Sequence, residues 1–522
     1  MQELSSVVIA VAFAALVVAL TALARRLPIP TPLLQVIAGL LVGLIPGVQI
    51  PQLEPEVVFF VFLPPALWAA AFFTSPRDLK ANAGPIGRLA IGLVLATSIA
   101  VAFVAHALLP GLPWPAAVAL GAIVSPPDAV AAAAIVSRLP VPRRVIAILE
   151  GESLVNDASA LVLYRSAVVA AVTGVFSWGE SVVRFFIDAG VGTLVGLLVG
   201  WLVIWAARST KDALAETVLT LAGPYVAWVA AERLHVSAVL ACVAGGLYVG
   251  QHLSVAVAPA SRLQTRSVWD LLIFLLNATI FFLLGVQFVA LLRSLPSESL
   301  GVVLRDGAIV GAVTIGLRLG WVASITELQR RTPHTDGRRR PTRKEAFVVA
   351  WTSMRGIVSL ASALALPRVL ANGAPFPYRT EIIVITMCVI MMTLVLQGLT
   401  LAPIIRAFRF TPEQTHHEEE RLARLEAARR GAEALEDMSR EAWVDQRDVE
   451  WLRGELRDRL RLRDHHGGTP EGRRRLRAGM IGAERRMLVR LRNESAISDE
   501  VLRELEHELD LEAVRVGFGD VR

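Results

Sequence analysis

Long apolar runs separated by short polar segments recur from the start of the chain to about residue 410. A helix of about 20 apolar residues crosses the hydrocarbon core of a bilayer and satisfies its own backbone hydrogen bonds there. The pattern therefore predicts an all-α, polytopic membrane protein with about 13 transmembrane helices. The predicted spans are 4–24, 33–44, 57–73, 86–109, 115–136, 145–172, 182–206, 217–231, 236–250, 271–292, 302–325, 346–366 and 382–405.

The chain after residue 410 has a different composition. The whole chain of 522 residues is 54% hydrophobic and 19% charged, with a formal net charge of +6. Its first 410 residues carry 30 Lys and Arg against 20 Asp and Glu, whereas the last 112 carry 22 Arg against 26 Asp and Glu. The sequence therefore predicts two domains: a transmembrane domain, 1–410, and a charged, largely helical cytoplasmic tail, 411–522.

Basic residues in the predicted loops indicate an orientation. Loops that follow odd-numbered spans carry 21 Lys and Arg, whereas loops that follow even-numbered spans carry only six. Because Lys and Arg concentrate on the cytoplasmic side, the N-terminus is predicted outside and the tail inside a cell membrane. This distribution explains the basic net charge without a nucleic-acid partner, and none is expected. Cys242 and Cys388 lie in apolar runs and show no disulfide or zinc spacing.

Four ionisable residues fall deep within predicted spans. At 1.5 Å per helical residue from the nearest basic anchor, Asp128, Asp157, Arg318 and Arg355 lie roughly 15–20 Å into the membrane. This depth is near the middle of a core about 30 Å thick, where a charge costs at least ~2.5 kcal/mol on insertion scales. Four charges at one depth on four spans predict a single functional site.

The fifth span contains the sequence SPPDAV at 125–130. Pro126 and Pro127 remove two backbone donors and clash with the preceding turn, so the helix is predicted to break there. Helices broken at mid-membrane present free amide and carbonyl groups, which bind ions and substrates in secondary transporters. Ser125 and Asp128 flank the prolines and are candidate site residues.

The sixth span places polar residues along one broad side of a helix. Glu152 and Asn156 are four residues apart and share a face, as do Ser153 and Asp157 one residue further round. Carboxylate, amide and hydroxyl oxygens suit a hard monovalent cation, and the Asp157 carboxylate can alternatively take a proton.

The intramembrane charges also suggest a stoichiometry. Arg355 is predicted to neutralise Asp128 or Glu152 through two parallel hydrogen bonds, with anion binding as the rival interpretation. The intramembrane carboxylates are Asp128, Glu152 and Asp157, and the guanidinium groups are Arg318 and Arg355. With three carboxylates and two guanidinium groups, one carboxylate is uncompensated. One proton or one monovalent cation can neutralise it, so competition between them predicts electroneutral one-for-one exchange.

Several segments resemble the signatures of the monovalent cation:proton antiporter-1 family, which includes bacterial sodium/proton antiporters and eukaryotic sodium/proton exchangers. They are GESLVND at 151–157, SPPDAV at 125–130, MRG at 354–356 and SAVLACVAG at 237–245. The resemblance runs from about residue 8 to 410. It implies an inverted-repeat antiporter fold of thirteen helices, a homodimer, and an elevator-like movement of a core domain.

The resemblance also implies roles for individual residues. It makes Asp157 the cation and proton carboxylate, where Na+ or K+ would bind, and it makes Asn156 the determinant of one-for-one exchange. Ser153 and Asp128 would support the ion, and Glu152 and Arg355 would form a structural ion pair. Arg318 and Ser125 are further candidates for supporting the site.

Two positions depart from the family pattern. Relatives often carry a glutamate in the third span where this chain has Ala69, and a threonine before the fifth-span aspartate where it has Pro127. Both changes remove candidate ion oxygens, so potassium or broader cation selectivity stays open beside sodium.

We expect an antiporter that exchanges Na+, K+ or Li+ for protons across the cell membrane in pH and cation homeostasis, without cofactor or catalysis. A membrane-embedded enzyme is disfavoured because the chain has no HExxH motif, nucleophile elbow or phosphate loop. A cation channel or an anion transporter that uses Arg318 and Arg355 remains the alternative. The excess of acidic over basic groups at mid-membrane favours cations.

Overall fold

The computed structural model describes most of the chain, which divides into two compact units, Met1–Pro412 and Glu413–Arg522. The described residues contain no β-strand, only an isolated bridge between Val369 and Pro375. They are 15–24, 29–46, 54–128, 132, 135–136, 139–174, 178–210, 212–257, 259–331, 341–410, 414–441, 444–461 and scattered helical residues between 480 and 511.

The first unit is built from helices joined by short connections. Two of them contain π-helical segments, Val58–Phe62 and Arg88–Leu93. The described helices are α1 (Ala15–Ala24), α2 (Thr31–Leu44), α3 (Val58–Phe73), α4 (Pro76–Ala81), α5 (Ala83–Leu108), α6 (Trp114–Val124), α7 (Arg143–Thr173), α8 (Trp178–Ser209), α9 (Ala213–Arg233), α10 (Ala238–Ala256), α11 (Pro259–Ser294), α12 (Ser297–Arg331), α13 (Arg343–Trp351), α14 (Ile357–Leu364) and α15 (Arg379–Phe408).

These helices confirm the predicted membrane architecture. In the described part of the chain, seven helices are long and apolar enough to cross a membrane: α5, α7, α8, α9, α11, α12 and α15. Shorter apolar helices include α1, α2, α3, α6 and α10. Each predicted span overlaps a helix, although the start of the first span and residues 129–131 and 133–134 of the fifth lie outside the described residues.

Packing separates the helices into two groups. Helices α2, α3 and α8–α11 pack mainly on one another, and we refer to them as the flanking group. Helices α5–α7 and α12–α15 also pack mainly on one another and form what we call the crossing group. All the mid-membrane charges predicted from the sequence lie in the crossing group.

The crossing group contains the same pattern twice. The first copy consists of a long helix (α5), a helix that ends inside its span (α6) and another long helix (α7). The second copy consists of α12, the short pair α13 and α14, and α15. Such a duplication is typical of transporters built from inverted repeats.

Small residues allow close helix packing in the flanking group. A Cβ atom added to Gly39 of α2 would collide with the backbone of Phe282 on α11, and one added to Gly285 of α11 would collide with the carbonyl oxygen of Val36. In a membrane, where lipid is as apolar as leucine, such close contact is a main source of helix association.

The second unit contains two described helices, α16 (Gln414–Met438) and α17 (Gln446–Arg461). Leu435 and Val449 are buried within this unit, whereas most of the charged residues are exposed. The pair of helices is bridged by Arg453, whose guanidinium donates to Glu436 at 2.6 Å.

Candidate ion-binding site

The fifth span breaks where the prolines predict it. Helix α6 ends at Val124, and the next four residues continue without helical structure to Asp128. Ser125 is buried, and its hydroxyl donates to the carbonyl oxygen of Ala122 at 3.0 Å. The hydroxyl therefore satisfies one of the carbonyls that the interrupted helix leaves open.

A second break lies in the twelfth span. Helix α13 ends at Trp351, the segment 352–356 is non-helical, and α14 begins at Ile357. The prediction of one uninterrupted span over 346–366 is therefore wrong, and no proline within it marks the break. The local sign of this break is Gly356, whose backbone (φ −151°, ψ −137°) is non-helical immediately before α14.

The two breaks pack directly against each other. The amide of Asp128 donates to the carbonyl of Met354 at 2.7 Å, and Nε of Arg355 donates to the carbonyl of Val124 at 2.7 Å. A Cβ atom at Gly356 would collide with the Asp128 carboxylate. Glycine at this position therefore allows the carboxylate to reach the start of α14.

Charged side chains stand at the helix ends that the breaks expose. Helix C-termini carry partial negative charge and N-termini partial positive charge. Arg355 lies at the C-terminus of α6, Arg318 at the C-terminus of α13, and Asp128 at the N-terminus of α14. Each charge has the sign that compensates the helix end beside it.

Arg318 forms the central ion pair of the crossing group. Both of its terminal nitrogens donate to the Glu152 carboxylate, the second at 2.8 Å, and both residues are about 1% exposed. The guanidinium also donates to the carbonyl oxygens of Val349 (2.9 Å) and Thr352 (3.3 Å) at the end of α13. One arginine thus joins α7, α12 and α13.

This arrangement corrects the predicted Glu152–Arg355 pair. Arg355 donates to the carbonyls of Val124 and Ser353, the latter at 2.5 Å, and interacts with Glu152 only through its electrostatic field. The reason is positional: Arg355 lies within the break and faces the end of α6, whereas Arg318 reaches across from α12 to α7.

The predicted cation residues lie on α7 beside the first break. Asn156 is fully buried, and its Nδ2 donates to the carbonyl of Pro127 at 3.0 Å. Asp157 is 6% exposed and interacts electrostatically with Asp128. Ser153 lies one turn before Asp157 and is partly buried. The structure therefore brings Asp157, Asn156 and Asp128 together, with Ser153 on the same face as Asp157.

Two side chains of this site offer oxygens to a bound ion. Among the residues that the structure describes, no hydrogen bond or ion pair engages the Asp157 carboxylate, and Oδ1 of Asn156 is buried without a hydrogen-bond partner. Buried polar atoms in proteins are nearly always satisfied, so such exceptions call for a ligand or water.

A row of polar side chains on α15 contacts the second break and was not predicted from the sequence. Thr393 accepts a hydrogen bond from the amide of Arg355 (3.1 Å), and Gln397 donates to the Ser353 hydroxyl (2.9 Å). One turn further, Thr400 accepts from the indole of Trp351 at 2.9 Å. Their spacing of four and three residues could have revealed them as one helix face within an apolar span.

The two departures from the family pattern also have structural roles. Pro127 supplies its carbonyl to Asn156, so this position still contributes an oxygen to the site. Ala69 is buried beside Trp68, whose ring fills the space next to Gly223 and Gly245. In this chain the middle of α3 is therefore used for packing within the flanking group.

Interrupted helices that cross at mid-membrane, with charges at their ends and a buried carboxylate beside them, define a membrane secondary transporter. The family model for the transmembrane sodium/hydrogen exchanger matches residues 12–407. This chain therefore belongs to the sodium/hydrogen exchanger family. Its relatives by sequence and structure are antiporters, not enzymes.

Relatives with similar sequences support this assignment. An uncharacterized Na+/H+ exchanger from Mycobacterium tuberculosis is 36% identical over 98% of this chain and 96% of its own length. A sodium, potassium, lithium and rubidium/H+ antiporter from Bacillus pumilus is 34% identical over 72% of this chain and 57% of its own length.

A solved structure supports the fold. The sodium proton antiporter MjNhaP1 from Methanocaldococcus jannaschii superposes with a TM-score of 0.60, covering 78% of this chain and 99% of the archaeal one. The sequence identity is 21%, so this similarity establishes the antiporter fold.

The Glu152–Arg318 pair predicts a stability effect. Glu152→Gln leaves the buried Arg318 charge without its counterion, so we expect a loss of about 3–5 kcal/mol in unfolding free energy. The measurement is thermal unfolding of purified protein in detergent. Glu152→Gln combined with Arg318→Met should lose less than the sum of the single variants, and strict additivity would contradict the pairing.

Proposed function

We propose that the protein exchanges a monovalent cation for a proton at Asp157, with Asn156, Ser153 and Asp128 supporting the bound ion. The observation that carries this proposal is the buried Asp157 carboxylate beside the crossing, which no described side chain neutralises. Family membership supplies the class of reaction. A proton and a cation compete for this carboxylate, so each is released when the other binds.

The paired charges support one-for-one stoichiometry. Glu152 and Arg318 neutralise each other, while Arg355 and Asp128 compensate helix ends of opposite sign. Asp157 is then the group whose charge changes during transport. Loading with either one proton or one monovalent cation leaves the crossing group with the same net charge, so the exchange is electroneutral.

We further propose that the transported cations include Na+, Li+ and K+. The oxygens around Asp157 come from a carboxylate, an amide and a hydroxyl, which suit hard cations without selecting one ionic radius. A relative from Bacillus subtilis, 32% identical over 72% of this chain, is named a sodium, potassium, lithium and rubidium/H+ antiporter. Such exchange would serve pH and cation homeostasis.

Movement of the crossing group past the flanking group provides alternating access in this proposal. The ion-binding residues all lie in the crossing group, so they can move together without losing their mutual contacts. We propose that the flanking group forms the homodimer contact, since outward-facing apolar side chains such as Leu194, Leu198 and Trp205 line α8. Cross-linking in native membranes tests the dimer.

Substitution of Asp157 tests the transport site. Asp157→Asn removes the group that gains and loses charge, so we expect cation-dependent proton movement in inverted vesicles to fall to background. NaCl, KCl and LiCl are added in turn, and the exposed Asp270→Asn variant is the matched control. Exchange that survives in Asp157→Asn would remove the central assignment.

An imposed membrane potential tests the stoichiometry. A cycle that moved one net charge would gain about 2.3 kcal/mol per 100 mV and its rate would respond strongly. We expect the rate of Na+/H+ exchange in proteoliposomes to stay the same when the potential is clamped at zero or at −100 mV. A strong response to voltage would exclude electroneutral exchange while leaving antiport intact.

We propose that the protein lies in the cell membrane with its N-terminus outside and its tail in the cytoplasm, as the loop charges indicate. Cysteines introduced at Ser209 and Ser294, which are exposed near the ends of α8 and α11, test this orientation. A membrane-impermeant thiol reagent applied to intact cells should label Ser294→Cys and spare Ser209→Cys. Native Cys242 and Cys388 are buried, so background labelling is low.

A further inference from the structure

A second buried carboxylate lies outside the transport site. Glu216 is in the first turn of α9, in the flanking group, and is only 4% exposed. Its buried Oε2 has no hydrogen-bond partner among the described residues, nor does any described cationic side chain form an ion pair with it. The transport mechanism makes no use of this group.

Hydroxyl groups line the contact between α9 and α11 next to Glu216. Oγ1 of Thr217 lies 3.1 Å from Oγ1 of Thr265, and the indole of Trp269 donates to Oγ1 of Thr220 at 3.3 Å. Because Thr217 meets Thr265 and Thr220 meets Trp269, α9 and α11 run parallel through these contacts. One turn before Thr265, α11 carries the buried Ser261, level with the start of α9, toward which the Cα–Cβ bond of Glu216 is tilted.

Glu216 lies beside the free amides at the N-terminus of α9. A carboxylate in the first helical turn is stabilised by the amides of the helix N-terminus. The basic residues on the neighbouring part of α11 are engaged elsewhere: Arg262 donates to the carbonyl of Val257, and Arg266 lies over the ring of Phe73. A cation bound at Glu216 would supply the counterion that a buried negative charge requires.

We propose that Glu216, with the hydroxyls of Thr217, Ser261 and Thr265, binds an alkali-metal cation, Na+ or K+, at a site separate from Asp157. Carboxylate and hydroxyl oxygens are the ligands that hard cations prefer. This cation is not transported. It holds the starts of α9 and α11 together within the flanking group.

The proposed cation also supports a third helix. Trp269, one turn beyond Thr265, stacks on Phe72 at the end of α3 with ring centroids 6.4 Å apart. Gly250 of α10 packs against the backbone of Phe72. Binding between α9 and α11 therefore also stabilises the end of α3, a helix that contacts α7 of the crossing group.

Thermal unfolding of the full-length protein in detergent tests the second site. The Asp157→Asn background removes the transport carboxylate, and NaCl, KCl and LiCl are each compared with choline chloride at equal ionic strength. We expect Asp157→Asn to keep a cation-specific rise of about 2 °C or more in Tm, because a ligand that binds only the folded state stabilises it. Adding Glu216→Gln should abolish the rise.

Thr265→Val is the second variant, since it removes one hydroxyl ligand and keeps the carboxylate. In the Asp157→Asn background, it should need about tenfold more Na+ or K+ for the same rise in Tm. This variant keeps the test valid if Glu216→Gln folds poorly. Ser267→Ala, at an exposed position of α11, is the matched control and should leave the cation response unchanged.

Three outcomes would overturn the second site. The first is an equal Tm for Asp157→Asn in choline and in every alkali chloride. The second is a cation-specific rise that persists in Asp157→Asn combined with Glu216→Gln. The third is a higher Tm for that double variant in choline, without any cation effect in Asp157→Asn, which would assign a proton to Glu216. None of these outcomes bears on exchange at Asp157.

Discussion

The structure depends on the charge compensation where two interrupted helices cross in the membrane. A break at mid-membrane exposes amides and carbonyls that lipid cannot satisfy, and it exposes two helix ends with partial charge. Arg355, Arg318 and Asp128 supply charges of the opposite sign at these ends, and Glu152 balances Arg318. Without these residues neither break would be stable in a bilayer.

In the proposed mechanism, the same compensation leaves Asp157 as the group that changes its charge. The charges around it are committed to helix ends or to each other, and α15 holds the second break in place through Thr393 and Gln397. In the proposed mechanism these contacts persist when a proton or a cation binds and leaves. The proposed transport carboxylate is thus the one that the framework does not need for its own stability.

The two helix groups are stabilised by different kinds of contact. The crossing group contains buried polar networks, whereas the flanking group relies on small residues and on Trp68 for close packing. Glu216 is the exception in the flanking group, because its burial cannot be explained by packing alone. The hydroxyls of the neighbouring α9–α11 contact resemble the proposed transport site in ligand chemistry, but they lie away from the breaks.

The sequence by itself determined the membrane class, the positions of the spans, the break after Val124 and the face shared by Glu152 and Asn156. These features follow from local properties: apolar length, proline geometry and helical periodicity. Only the tertiary structure decided that the twelfth span also breaks and that Glu152 pairs with Arg318. Both depend on which helices become neighbours, since a break without proline is stabilised by side chains from α12 and α15, far away in the sequence.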